Sequence, residues 1–519
     1  MYRVTTINAL KLSSLFAGAM IVVGCESGTE APAPVVESAP AEMPAPVPVE
    51  PEQPDLSAHN MALVGYHDLQ ARSAYQPIVH TYDDGRRILF VGLHAGSTMN
   101  DMTGEVEVNG LAILDVTDPT TPQLLRHLPP HNPDADGTQH VQLCNGSDLP
   151  NGDPNRVYAV RTDGLLGYEL LDVTDPAEPH HLLVIDETAD SSRPESSRGN
   201  RETHKGQWEC ETGIGYFNGT PAGWRVTRLL QTYDLSDPEN PVHIRDFGLA
   251  GWEPDAEGPF PEYSISGLHQ PYVTDNRMYL GYGSGNNGTL QILDLDRFLA
   301  GDPEAEDPMA PTPENLLYPE ISRLDMPSYW GVHTAKPVYD VPIPGYEDDA
   351  SNRTRDILLV PSEAGGGARR CQGTRDVMFI LDITEEDKPY PISTYQAAEE
   401  PGDFCHRGGR FGPHSINDAD HPGFDGRLVV VSYFNGGVRA VDIRDPFNPV
   451  EVGYFVPEPT ENTIELCIEI DGTELCDAAI QTNNVNIDDR GYVYAVDRSN
   501  TGLHIVELTG DAREIVGLD

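Results

Sequence analysis

The chain of 519 residues carries 83 Asp and Glu against 33 Lys and Arg, for a formal net charge of −50. Such a surface repels nucleic acid and anionic lipid headgroups, so neither is expected as a binding partner. Hydrophobic residues make up 38% of the chain, with 49 Gly and 45 Pro. This composition predicts a core of useful size in a fold rich in strands and turns.

The first 24 residues have the pattern of a targeting signal. Arg3 and Lys11 precede the apolar run LSSLFAGAMIVVG, which is too short to span a membrane as a mature helix. The VVGC motif at 22–25 resembles a bacterial lipobox, which implies cleavage before Cys25 and acylation of that residue. Because residue 26 is Glu, we expect a lipoprotein of the bacterial cell envelope, held at the outer membrane on either its periplasmic or its outer face.

Residues 25–59 consist largely of Pro, Ala and Glu. A segment with so little apolar surface cannot form a core, so we expect a disordered tether. The folded domain is predicted to span residues 60–519 and to be monomeric.

Six cysteines remain after Cys25. An even number outside the cytoplasm predicts three disulfides, although six cysteines allow 15 pairings. The stretch CIEIDGTELC predicts a hairpin closed by Cys467–Cys476. We propose Cys144–Cys210 and Cys371–Cys405 for the other two.

A short motif recurs along the chain, as in LAILDVTDP, YELLDVTDP and AVDIRDP. Each copy is an apolar strand followed by an acidic residue and a tight turn, in which Asp and Thr side chains bond nearby backbone and Pro ends the pairing. The shared acidic positions are Asp115, Asp172, Asp234, Asp294, Asp382, Asp442 and Glu507.

Each copy is followed by one further strand and preceded by two, so a unit contains four strands. Seven such units predict an all-β fold, a seven-bladed β-propeller with four-stranded antiparallel blades. A long solenoid is the alternative, but it would need caps. The main exception to the strand pattern is LDRFLAG at 295–301, which has helical periodicity.

The repeat resembles that of the LVIVD-repeat β-propeller proteins, and copies such as AVDIRDPFNPVEVGYF carry the resemblance. It extends over most of residues 60–510 and implies the same fold. The segment MALVGYHDL at 61–69 is similar to the family's usual opening, which implies an outer strand that completes the last blade.

The first strand of five consecutive units opens with histidine, flanked by Tyr75 in the first unit and Asn484 in the last. First strands are innermost in a propeller, so these side chains should surround the mouth of the central channel. Imidazole is a common ligand of Zn, Cu and Fe. The predicted metal ligands are therefore His140, His204, His269, His333 and His414. The alternative is that repetition copied a structural histidine with no ligand role.

Other polar residues are predicted near this ring. Tyr75, Glu209 and Asn484 are candidate catalytic groups, with Glu209 as a possible general base. Loops on the same face also include VDRSNTG, with Asp497 and Arg498. The candidate substrate-binding residues are His94, Trp208, Glu363, Arg407 and Arg410.

The sequence contains no phosphate-binding glycine loop, G-x-S-x-G elbow, H-E-x-x-H motif or C-x-x-C-H haem motif. We therefore expect neither a nucleotide nor a haem cofactor. Two functions stay open: a Cu-, Fe- or Zn-dependent oxidoreductase acting on a small molecule in the channel, or a propeller that binds a ligand or protein without catalysis.

Overall fold

The computed structural model describes residues 57–185, 203–221, 223–257, 267–283, 287–365, 376–399, 402–470 and 472–518. The predicted signal peptide, Cys25 and nearly all of the tether lie outside these residues. The described chain opens with β1 (Ala58–His59), β2 (Met61–His67) and a 3-10 turn (Leu69–Ala71). None of the described helices is both long and apolar enough to cross a membrane.

Five antiparallel sheets of four strands each follow one another along the chain. In every sheet the strands pair in chain order. Sheet 1 contains β3 (Ala74–Thr81), β4 (Arg87–Leu93), β7 (Leu111–Asp115) and β8 (Gln123–Leu128); a hairpin of β5 (Ser97–Asn100) and β6 (Glu105–Val108) is inserted into it. Sheet 2 contains β9 (Val141–Asn145), β10 (Val157–Thr162), β11 (Tyr168–Asp172) and β12 (His180–Ile185).

The next three sheets repeat this arrangement. Sheet 3 contains β13 (Gly206–Glu209), β14 (Ile214–Gly219), β15 (Leu229–Asp234) and β16 (Val242–Phe247). Sheet 4 contains β17 (Leu268–Thr274), β18 (Arg277–Tyr282), β19 (Thr289–Asp294) and β20 (Glu320–Asp325), with α1 (Leu295–Ala300) and α2 (Pro313–Leu317) between its last two strands. Sheet 5 contains β21 (Lys336–Pro342), β22 (Thr354–Pro361), β23 (Met378–Asp382) and β24 (Tyr390–Tyr395).

Nine of the remaining strands form one sheet. It contains β25 (Phe411–Ile416), β26 (Leu428–Phe434), β27 (Val438–Asp442), β28 (Val450–Phe455), β31 (Thr482–Ile487), β32 (Val493–Asp497) and β33 (Leu503–Leu508), together with β1 and β2. A separate hairpin of β29 (Glu465–Ile470) and β30 (Thr473–Ala478) is inserted before β31, and α3 (Gly510–Val516) follows β33. Because β2 pairs with β33, the prediction that the opening segment completes the last unit is confirmed.

The acidic residue ends the third strand in six of the seven repeats, whereas Glu507 is followed by Leu508, the last residue of β33. Asp115, Asp172 and Asp382 each accept a hydrogen bond from the backbone N–H two residues later, at 2.9–3.0 Å. Asp294 instead caps α1 by accepting from the N–H of Arg297 at 3.0 Å, which explains why this copy continues as a helix.

The first strands of successive sheets lie side by side, with β3 beside β9 and β31, and β13 beside β9 and β17. The buried second and third strands pack against neighbouring sheets; Phe90 and Ile113 of sheet 1, for example, pack with Ala159 and Leu171 of sheet 2. Four-stranded antiparallel sheets packed face to face, with their first strands innermost, define a β-propeller.

Two predicted disulfides are confirmed. Cys144–Cys210 links β9 to the end of β13, with Cα atoms 5.5 Å apart, and Cys467–Cys476 closes the β29–β30 hairpin. Cys405 is also disulfide-bonded, whereas its predicted partner, Cys371, lies outside the described residues.

Candidate metal centre

Four imidazoles and one phenol, each in or just before the first strand of its unit, meet inside the propeller. All five side chains are at most 5% exposed. We call this group the imidazole cluster; its members are Tyr75, His204, His269, His333 and His414.

Contacts around the cluster are continuous. The Tyr75 hydroxyl lies 2.9 Å from Nε2 of His204, and that nitrogen lies 2.9 Å from Nε2 of His269. The ring centroids of His269 and His333 are 3.7 Å apart, and those of His333 and His414 are 4.6 Å apart. The His414 and Tyr75 rings complete the circuit at 6.0 Å. Residues far apart in sequence thus share one small volume.

β-Bulges direct two of these side chains, Tyr75 and His269, inward. Strand pairing skips Tyr75 between Ala74 and Gln76, and it skips His269 between Leu268 and Gln270. A bulge lets consecutive residues project to the same side of a strand, which simple alternation forbids. Each of these strands therefore presents two neighbouring side chains to the channel.

Three of the four δ-nitrogens in the cluster bond to groups outside it, whereas Nδ1 of His269 is buried without a hydrogen-bond partner among the described residues. Nδ1 of His414 donates to the Asn483 carbonyl at 2.5 Å, and Nδ1 of His204 donates to Oε1 of Gln139 at 2.6 Å. Nδ1 of His333 lies 2.8 Å from Oγ1 of Thr334. With the proton of a neutral ring on Nδ1, the lone pair of Nε2 is free for a ligand, which is the arrangement found around metal-binding histidines.

The ε-nitrogens are crowded and poorly satisfied. Nε2 of His204 has one lone pair but two close neighbours, the Tyr75 hydroxyl and Nε2 of His269. Nε2 of His333 is buried without a hydrogen-bond partner. A cation relieves both conditions, since nitrogens at about 2.0–2.1 Å from one ion lie within about 4 Å of each other.

Burial also sets the charge of the cluster. Desolvation, the largest cause in every case, lowers the pKa of His204, His269, His333 and His414 well below the ordinary value for histidine. Neutral imidazole is the form that binds metals. The donor set therefore fits a transition-metal ion such as Zn, Cu or Fe.

His140 and Asn484 do not occupy the positions expected for them. The strand pairing shows which positions of sheets 1 and 2 are equivalent. By this register, Gln139 is equivalent to Tyr75, and His140 is equivalent to Gln76. In β31 the skipped residue is Asn483. The sequence alignment of the repeats was therefore wrong by one residue in both units. It matched His140 and Asn484 to the position of Tyr75 by residue type, and residue type alone does not show where the bulge lies.

His140 instead belongs to the layer of side chains that follows the cluster along the channel. Its Nδ1 lies 2.8 Å from Oε1 of Gln76. The same layer contains Lys205, which is fully buried and whose Nζ donates to Oε1 of Gln270 at 3.0 Å. Burial lowers the pKa of Lys205 to about 8. Lys205 was not predicted from the sequence. It directly follows His204, and its inward position could have been predicted if two consecutive residues of each first strand had been expected to face the channel.

Asp418 approaches this layer from the loop after β25. Its Oδ2 accepts hydrogen bonds of 3.2 Å from Nε2 of Gln76 and from Nε2 of Gln270, which belong to different sheets. Beyond it lies a cavity of about 750 Å³, whose lining includes Trp208, Asp420 and Asp488. The position of this loop was not predicted from the sequence, because it depends on how the chain turns back after β25.

Glu363, Arg410 and His94 lie beside the cluster, as the loop positions predicted. Oε1 of Glu363 is 3.9 Å from Nε2 of His414 and 2.9 Å from a guanidinium nitrogen of Arg410. Its donor atoms and those of His269 and His333 lie within 4.8 Å of one another. The His94 ring meets Tyr75 edge-on at 4.9 Å. Glu363 has a φ of 54°, a strained conformation that is often associated with functional sites.

Three other candidate residues lie elsewhere. Trp208 packs in the core beside Cys144, and Glu209 accepts from the side chain of Gln207, while burial raises the Glu209 pKa. Arg407 stacks on Phe404 at 4.7 Å and lines a separate pocket.

A second group of potential ligands is formed by His131, Glu169 and His181. The two histidines are exposed and their rings are stacked 3.7 Å apart. The Glu169 carboxylate already pairs with Arg161 at 2.7 Å, so this group is a poorer metal site than the imidazole cluster.

Comparison with known proteins gives no family assignment. No family model matches the sequence, and no curated protein matches it. Solved structures similar to the chain include the β-propeller domain of Myceliophteria thermophila Cps50 (Swd1), at 11% identity and a TM-score of 0.43, covering 84% of this chain and all of that one. Saccharomyces cerevisiae Sqt1 matches at 8% identity and a TM-score of 0.43, covering 87% of this chain and 99% of that one.

A putative 6-phosphogluconolactonase from Bacteroides fragilis matches at 10% identity and a TM-score of 0.42. That match covers 78% of this chain and 97% of the lactonase. Likeness at this level carries no argument about function, which has to come from the site itself.

Proposed function

We propose that this chain is a seven-bladed β-propeller whose imidazole cluster binds one transition-metal ion and uses it for redox chemistry on a small molecule. The observation that carries the proposal is the convergence of four buried imidazoles from four different units, each in or just before the first strand of its unit, three of them with δ-nitrogens bonded outside the cluster. Imidazole ligands suit Cu and Fe as well as Zn.

A count of seven blades is supported by dividing the nine-stranded sheet into two units. Its two halves are joined only by the pair Phe434–Thr482, and each half contains a four-stranded unit of the repeat. These two units and sheets 1–5 make seven. Packing supports a closed ring, because Leu89 and Val91 of sheet 1 lie in one core with Val496 and Ile505 of the last unit.

When bound, the ion would supply Lewis-acid or electron-transfer chemistry. The four histidines would hold it, and their burial excludes bulk water. The Tyr75 hydroxyl, directed at Nε2 of His204, orients groups at one edge of the cluster. The Glu363 carboxylate, held by Arg410, lies beside His414 at the edge of the cluster.

The N-terminal motif extends the proposal to location. The likeness of VVGC to a lipobox supports anchoring at Cys25 in the bacterial envelope, and the repeat supports a relation to the LVIVD-repeat proteins.

Metal analysis of the purified full chain tests the proposed function. We expect about one equivalent of Cu, Fe or Zn, and loss of that metal in the His269→Ala and His333→Ala variants. The matched control is the His131→Ala/His181→Ala variant, which removes the other histidine group and should keep the metal. A folded wild-type protein that stays metal-free after incubation with all three ions would contradict the proposal and favour a binding propeller without catalysis.

A further inference from the structure

Two arginines from different loops are held together beside the imidazole cluster. The backbone N–H of Arg410 donates to Oε1 of Gln481 at 2.7 Å, and Nε2 of Gln481 donates back to the Arg410 carbonyl at 3.2 Å. The backbone N–H of Arg498 donates to the Gln481 carbonyl at 3.0 Å. Gln481 is only 3% exposed, so this connection is a built part of the fold.

Both arginines are linked to the cluster through intervening side chains. The Arg410 guanidinium lies 5.1 Å from the centre of the Phe434 ring, which contacts His414 at 4.9 Å. The carbonyl of Arg498 accepts from the Ser73 hydroxyl at 2.7 Å, and that hydroxyl lies 3.2 Å from Nδ1 of His94, whose ring packs on Tyr75. The positive charge of Arg498 also lowers the pKa of His94 and His414, after the larger effect of burial.

The two arginines differ in how their guanidinium groups are paired. Arg410 pairs with Glu363, whereas the Arg498 guanidinium makes no hydrogen bond or ion pair within the described residues. Asp497 is next in sequence, but its two carboxylate oxygens accept from the backbone N–H groups of Gln481 and Ser499. One mostly buried guanidinium is thus left for a ligand.

The other end of the channel has the opposite charge. Asp418, Asp420, Asp488 and Asp489 all line the 750 Å³ cavity there. In a chain with a net charge of −50, a small anion is repelled from most of the surface and from that cavity. A small anion is attracted instead to the side of the cluster where Arg410 and Arg498 lie.

We infer that the molecule acted on at the imidazole cluster is a small anion, whose carboxylate, sulfate-like or phosphate-like group binds to Arg498 and Arg410. The guanidinium fork matches the paired oxygens of such groups. As a statement about the substrate, this inference rests on the proposed function; as a statement about an anion site, it stands on the arginines alone.

Titration of the full chain with acetate, sulfate and inorganic phosphate, followed by calorimetry, tests the inference. We expect at least one of these anions to bind the wild-type protein and to bind the Arg498→Gln variant on the order of tenfold more weakly. Arg407→Gln is the matched control, because Arg407 lies in a separate pocket, and it should bind as the wild type does. The preferred anion identifies which of the three oxyanion classes the substrate carries.

The inference is overturned if the wild-type protein binds none of the three anions. It is also overturned if Arg407→Gln loses as much anion affinity as Arg498→Gln does. Metal content measured on the same samples separates this failure from failure of the proposed function. Arg498→Gln should keep its metal; a protein that binds no metal but shows the Arg498-dependent anion affinity keeps the anion site and loses the redox proposal.

Discussion

At the scale of single residues, the hydrogen-bond partner of each δ-nitrogen decides whether the ε-nitrogen of that imidazole is free to bind a metal ion. Gln139 accepts from Nδ1 of His204, which directs the lone pair of Nε2 into the cluster. Gln76 makes a similar contact with Nδ1 of His140, but His140 lies outside the cluster. The two glutamines therefore provide a matched pair for testing which histidines are ligands.

We expect Gln139→Leu to weaken metal affinity about 10- to 100-fold, because loss of the outer hydrogen bond frees the His204 ring to change tautomer and orientation. Gln76→Leu should leave the affinity within about a factor of two. Competition with a chromophoric chelator measures both. A larger loss in Gln76→Leu would place His140, and not His204, among the ligands.

At the scale of elements, bulges and bridging bonds matter more than strand propensity. The repeat predicted the third strands and their Asp-centred turns because these depend on local sequence. The bulges at Tyr75 and His269 could not be located in this way, since a bulge is defined by the pairing of two strands. For that reason the sequence predicted four cluster histidines correctly in position but displaced His140 and Asn484 by one residue.

The two described disulfides should differ in their contribution to stability. Cys144–Cys210 joins sheets 2 and 3 across a separation of 66 residues, whereas Cys467–Cys476 spans 9 residues within one hairpin. Loop-closure entropy predicts a loss of about 4 kcal/mol on replacing the first pair by Ala and about 2.5 kcal/mol for the second. Urea unfolding of the two double variants measures this, and a larger loss for the hairpin pair would contradict the assignment.

At the scale of the whole molecule, repetition brings distant positions to one centre. Seven copies of a motif predicted the architecture, and the place of the first strand predicted that His204, His269, His333 and His414 would meet. Asp418 and Gln481 were beyond such reasoning. Their roles depend on which loop reaches into the channel and on contacts between sheets. Neither can be predicted from the local sequence.

The charge distribution also belongs to this scale. The net charge of −50 is spread over the chain, yet the two ends of the channel differ: arginines stand beside the imidazole cluster and carboxylates line the far cavity. The proposed anion site depends on this difference, because a channel polarised in this way favours entry of an anion from the arginine side.

Anomalous X-ray diffraction from crystals of the metal-loaded protein, collected at the absorption edge of the bound metal, tests the central claim most directly. The account predicts one strong peak inside the propeller, at about 2.0–2.1 Å from ε-nitrogens of at least three of His204, His269, His333 and His414. A peak only at His131 and His181, or no ordered peak within the imidazole cluster, would contradict it.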